Sequence, residues 1–265
     1  KKGQEVWLEP LVDRHAKTIS YRIRHGGTKA ELAEAAMGTT AGKRQAFRCI
    51  MSGAALPYDH IRQAGKAGQM GQTLIAIVAE GKRGRAYVEP LPEHVEVAQS
   101  AKPEWRPEAR LPDNPRDFKT PNYGMETFGD LFTDRQLVAL NTFSDLVHEA
   151  RAQVEADALA AGLAPDATPL RDGGKGAKAY AEAVSVYLGM SVSKESVFLN
   201  SLSRWRAGES KTAPAFGRQA IAMVWDYAEV NPFAGAGGDF QGVVNGASGV
   251  LDRWSGYIPH TEESR

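Results

Sequence analysis

Seven prolines, at positions 90, 92, 103, 107, 112, 115 and 121, divide this chain into two parts with different hydrophobic periods. Each removes a backbone donor and opposes helix, so residues 91–121 are expected to form an extended surface linker. Before it the pattern is that of strands. Thr18 to Arg24 alternates Ile19, Tyr21 and Ile23 with polar neighbours and ends at His25-Gly26-Gly27, the period of a strand with one buried face. Val6 to Val12 reads as its partner strand, and Thr73 to Val78 with Arg85 to Val88 reads as a hairpin about Gly81-Lys82-Arg83-Gly84.

After the prolines the period becomes helical. Thr133 and Gln136 have the spacing of a capping box, and Leu137, Leu140, Phe143, Val147, Ala150, Val154 and Ala158 then share one face until Gly162 and Pro165. A second helix is predicted from Ala177 to Arg204, with Tyr180, Val184, Leu188, Phe198 and Leu202 inward. A third is predicted from Thr212 to Val230, where Pro214 suits a first turn and Asn231-Pro232 a stop. The expected fold class is therefore α+β. A basic β-rich part spans residues 1–90, a mainly α-helical region spans 122–232, and a glycine-rich irregular tail spans 233–265.

With 42% hydrophobic and 24% charged residues the composition is that of a globular protein, and no window reaches the ~18 apolar residues of a membrane helix. One cysteine, Cys49, forms no internal disulfide, which predicts a reducing, cytoplasmic setting with no membrane partner. The chain opens Lys1-Lys2-Gly3 without Met, so it is expected to be an internal piece of a larger protein. The formal charge is zero overall, yet residues 1–88 hold 15 Lys/Arg against 7 Asp/Glu. An anionic partner should approach that first third; the plainer alternative is a solvated basic surface.

Chemistry is sparse. Gly38 to Arg44 fails as a phosphate loop because its glycines are one residue too close and Arg44 stands in place of the magnesium-binding hydroxyl. The six histidines are scattered, and no local context marks a nucleophile, so no catalytic residue is assigned. Arg48-Cys49-Ile50-Met51-Ser52-Gly53 has the form of a zinc-ribbon half-site with Ser52 at the second ligand position. One thiolate does not hold a structural zinc, so no metal is expected. Cys49 is then either a buried strand residue or a zinc-knuckle remnant. Asn231-Pro232-Phe233-Ala234-Gly235-Ala236-Gly237-Gly238 is similar to the loop by which amino-directed DNA methyltransferases hold S-adenosylmethionine. That makes Asn231, Pro232, Phe233, Gly235 and Gly237 candidate cofactor residues, although no acidic ribose partner follows.

A longer series of segments carries a family resemblance. Trp7 to Arg14, Pro57 to Arg62, Gly65 to Gly71, Ala76 to Gly81, Thr120 to Met125, Phe128 to Thr133, Arg204-Trp205-Arg206, Phe216 to Ala220 and Asn231-Pro232-Phe233 occur in one order. Together they resemble the adenine-specific DNA methylases that carry an internal zinc ribbon and begin with a domain of unknown function. In that family the cofactor loop lies upstream of the region resembled, and the catalytic Asp/Asn-Pro-Pro-Tyr motif lies downstream. No Pro-Pro pair occurs in this sequence. The resemblance implies an insert joining the flanking halves of a split methyltransferase, with a degenerate ribbon of which Cys49 and Ser52 remain. It makes Asn231-Pro232-Phe233 a structural or pocket-edge turn. Duplex DNA would be met by Arg204, Trp205, Arg206 and Arg218 in the full-length protein, since Arg pairs with phosphate and Trp offers a stacking face; the same cluster could instead cap a helical core. The implied cofactor is S-adenosylmethionine in the whole protein, with none bound by this chain alone. A non-catalytic nucleic-acid or protein binding module is the competing expectation.

Overall fold

A computed structural model describes residues 5–42, 46–82, 84–217 and 219–255. The fold is α+β: small antiparallel sheets dominate the N-terminal part and helices the rest. The chain divides into two compact units, Lys1–Ala101 with Arg110–Glu126, and Lys102–Ala109 with Thr127–Arg265.

The first unit opens with β1 (Val6–Asp13) and β2 (Thr18–His25), paired antiparallel from Val6↔His25 to Asp13↔Thr18. Asp13 fixes their turn by accepting the N–H groups of His15 and Ala16, each at 2.9 Å. Helix α1 (Lys29–Met37) follows a Thr28/Glu31 capping box. The two-residue strands β3 (Phe47–Arg48) and β4 (Ala55–Leu56) flank the Cys49 turn, and α2 (Tyr58–Lys66) follows. Hairpin β5 (Ile77–Gly81) and β6 (Gly84–Val88) lies where the sequence places it, though the apolar run from Thr73 enters the strand only at Ile77.

The proline-rich stretch differs from expectation. Residues Pro92–Ser100 form helix α3, because Pro92 occupies the first turn, where its missing N–H would have no partner anyway. Residues 110–126 fold back onto the first unit. The N–H of Leu111 donates to the carbonyl of Glu126 at 2.8 Å, and a single-turn helix, Thr120–Tyr123, rests on α2. Backbones nearly touch there. A Cβ on Gly65 would stand 2.5 Å from the Tyr123 carbonyl oxygen, and one on Gly124 would stand 2.4 Å from that of Gly65.

The second unit is built on α4 (Asp134–Ala160) and α5 (Ala177–Glu195), which pack together. The α4 capping box forms as read: the Thr133 hydroxyl accepts the Gln136 N–H, and the Gln136 side chain accepts the Thr133 N–H at 2.9 Å. Of the face read from the sequence, Leu137, Phe143 and Ala158 are buried and the other four half-buried. Gly162, with φ +94°, ends the helix while Leu163 donates back to Ala158. On α5 the inward face is not the aromatic one. Ala177, Ala179 and Ala181 are buried and Tyr180 is 53% exposed, because small side chains let α5 lie close to its neighbours. Arg151 of α4 and Glu182 of α5 pair at 2.6 Å.

Three further differences lie toward the C-terminus. Helix α5 stops at Glu195, short of Arg204, because the Asn200 amide captures the carbonyls of Ser196 and Val197 at 2.8 and 2.9 Å. The described residues of 212–230 contain no helix. Their N–H groups go to neighbouring chain instead, Ala215 to Val197 at 3.0 Å and Ala228 to Ser203 at 2.7 Å. The tail read as irregular contains α6 (Phe240–Ser255), which packs on α5. No helix among the described residues is long and apolar enough to cross a membrane.

Candidate functional site

The glycine loop between Asn231 and α6 is closed on itself. Asn231 Oδ1 accepts the Phe233 N–H at 3.0 Å and the Asn231 carbonyl accepts that of Ala234 at 3.1 Å. Pro232 accepts from Phe240 at 2.9 Å, and Ala236 accepts from Asp239 at 2.9 Å. Asp239 completes the closure from both carboxylate oxygens: Oδ2 accepts the Gly235 N–H and Oδ1 the Gly242 N–H, each at 2.9 Å. One residue thus holds the loop and caps α6.

This closure bears on the expected cofactor residues. Within Asn231–Gly238 the N–H groups of Phe233, Ala234 and Gly235 are taken internally, so of the candidate cofactor residues Phe233 and Gly235 have their N–H groups engaged in this arrangement. Gly235 is exposed with φ +62°, and nothing approaches Gly237. The sterically confined glycine is Gly238, with φ +91°, where a Cβ would stand 3.0 to 3.2 Å from Val230 and Phe198 side-chain atoms. Phe233 is 77% exposed but has an aromatic base. Its ring centroid lies 5.7 Å from that of Phe143, which in turn stacks on Phe240 at 4.1 Å.

The expected DNA-binding residues sit on a different element from the helix end predicted for them. Arg204, Trp205 and Arg206 form β7 (Arg204–Arg206), paired with β8 (Lys211–Ala213) in the register Arg204↔Ala213, Trp205↔Thr212 and Arg206↔Lys211. Strand alternation puts both arginines on one face and Trp205 on the other, where it is half-buried. Arg206 is engaged by Glu209 at 3.0 Å, as is Lys211 at 2.6 Å. Lys211 first, then Arg206, holds the Glu209 carboxyl below its usual range. The backbone of Arg204 forms an isolated antiparallel bridge with that of Tyr227, whose hydroxyl is pushed up by burial and by Glu229, against the opposing pull of Arg135. Arg218 lies outside the described residues. The structure therefore joins Arg204 and Arg206 on one small hairpin, with the Arg206 charge paired to Glu209.

No protein family, curated protein or solved structure matches this chain.

Cys49 sits in neither a strand nor the core. It lies half-exposed in the turn between β3 and β4, where its N–H donates to Ala54 and its carbonyl accepts from Gly53 at 2.8 and 2.7 Å. Gly53 takes φ +75°. The Ser52 side chain, followed by the N–H groups of Ser52 and Met51, holds the thiol below its usual range. Ser52 thus stands beside the thiol in the turn that joins β3 to β4. Among the described residues no group of three or more His, Cys, Asp or Glu is placed to hold a metal ion.

The residues the sequence did not point to are Asp239 and Glu195. An Asp three positions before Gly242 is a helix-start signal, but glycines at 242, 246 and 249 weaken the helix it would start. Glu195 reads as an ordinary polar residue near a helix end. It is 0% exposed.

Proposed function

We propose that this chain is the internal scaffold and DNA-recognition segment of an S-adenosylmethionine-dependent, adenine-specific DNA methyltransferase, catalytically incomplete by itself. The observation that carries the reading is the self-closed Asn231–Gly238 segment, which supports the role of a pocket-edge turn over that of a cofactor loop. Aligned methyl transfer needs a cofactor cradle and an amine-holding motif. Both then belong to the flanking halves. In this reading the turn about Cys49 and Ser52 is the remnant of a degenerate ribbon, and Arg204, Trp205, Arg206 and Arg218 are assigned to duplex DNA.

The test is transfer of labelled methyl from S-adenosylmethionine to unmethylated DNA. The chain alone should give background labelling, and labelling should appear when the flanking regions are supplied in cis or as separate chains. Clear labelling by the chain alone would end this reading. The surplus of Lys/Arg in residues 1–88 favours a second reading, a nucleic-acid-binding module without chemistry. Flanking sequence that lacks both methyltransferase motifs, together with steeply salt-dependent DNA binding, would favour it.

A further inference from the structure

Helix α5 ends on Glu195, whose side chain is fully buried and whose two carboxylate oxygens have no hydrogen-bond partner. A carboxylate in such a place is far easier to bury neutral than charged. Where α6 packs on α5 stands Asp239, itself only 9% exposed, with both oxygens already bonded to the Gly235 and Gly242 N–H groups. Those bonds occupy both Asp239 oxygens and leave Glu195 nothing to share.

We propose that Glu195 is a protonation latch for α6 and the Asn231–Gly238 loop. When neutral it lets α5 receive Asp239 and keeps both docked; when ionised it sets a second buried negative charge against Asp239 and releases them. No covalent step is involved, only loss of a proton to solvent. Charges on the elements packed against α5 do not relieve the conflict. On α4, Arg151 is held by Glu182 and Arg135 by Glu229, while Asp145, His148, Glu149 and Asp157 are exposed. The short helix Leu170–Asp172 pairs Arg171 with Asp172, and Lys194 of α5 is exposed. Asp252 and Arg253 of α6 lie at its other end, about 20 Å along the helix from Asp239. Burial first, then the Asp239 charge, pushes the Glu195 carboxyl up to about 7.

Hydrogen exchange of the purified chain at pH 6 and pH 8, corrected for intrinsic rates, tests the latch. If Glu195 titrates at about 7 when docked and in the usual carboxylate range when released, the opening of residues 235–250 rises about tenfold between those pH values. Amides in the middle of α4 should not change. Glu195→Gln, which keeps the shape without the charge, should remove the pH difference. Protection in the wild type that is independent of pH, or a difference that survives Glu195→Gln, would overturn the proposal. So would a carboxyl NMR titration placing Glu195 in the usual carboxylate range, a readout that does not depend on the variant folding. Recovery of protection at pH 8 on adding magnesium alone would overturn it in favour of a cation site.

Discussion

The two units are held together by different means. In the first, paired backbones do most of the work: three hairpins, short helices, and the Gly65–Gly124 contact, with Ala46, Leu111 and Tyr123 as its buried apolar side chains among the described residues. In the second, α4 and α5 enclose a core that includes Leu137, Phe143, Ala158, Leu199, Leu202 and Ile221. Hydrogen bonds contribute little net free energy each, whereas a buried leucine contributes roughly 2 kcal/mol or more. The second unit should therefore be the more stable and respond to side-chain truncation; the first should respond to changes in backbone shape.

Substitutions can separate these regimes. The largest effect is expected from Leu137→Ala, a 1% exposed leucine whose loss should lower the stability of the second unit by about 4 kcal/mol. Exchange-resolved denaturation should show the hairpins of the first unit unmoved, and an equal loss in both units would merge them into one cooperative body. Next is pH. The folded Glu195 carboxyl is raised, so its share of stability is complete below the usual carboxylate range and is lost as pH climbs through about 7. Unfolding of the second unit should become easier by up to about 3 kcal/mol across that window, and Glu195→Gln should flatten the profile.

A smaller effect is expected in the first unit. Gly65→Ala should destabilise it by about 2 kcal/mol despite alanine's better helix propensity, because the new Cβ meets a backbone carbonyl that has little freedom to move. A neutral or stabilising outcome would show that the α2 contact gives way easily. Smallest is Thr133→Ala, which removes the α4 cap and the 2.7 Å bond from Thr133 to Glu229. It should cost about 1 kcal/mol and fray the first turn of α4 in exchange measurements.

Sequence reading succeeded where local signals agreed with packing. Thr133 with Gln136 marks the start of α4, and the alternation of Ile19, Tyr21 and Ile23 marks β2 as a strand, although Ile19 is exposed and Tyr21 and Ile23 are only half-buried. It failed where one local rule hid another. The prolines suggested a linker, yet Pro92 begins a helix. Three glycines masked Phe240, Val243, Ala247, Val250 and Trp254, which recur at helical spacing in α6. The residues from Thr212 to Val230 look helical until their N–H groups are claimed by Val197 and Ser203, which lie elsewhere in the sequence. At the candidate site the Asn231–Gly238 loop was visible as a motif, but its closure by Asp239 and the isolation of Glu195 depend on where α5 ends, which Asn200 decides through tertiary context.

The return of residues 110–126 to the first unit sets an order on synthesis. A ribosome releases the hairpins and α1 to α3 first, then a stretch belonging to the second unit, and only afterwards the segment that seats Tyr123 and Gly124 on Gly65. At about 5–20 residues per second the first unit waits one to several seconds, from Ala101 to Glu126, with the Gly65 face of α2 uncovered. During that interval its closing segment must come from downstream on the same chain, so the first unit matures only as the second begins to emerge.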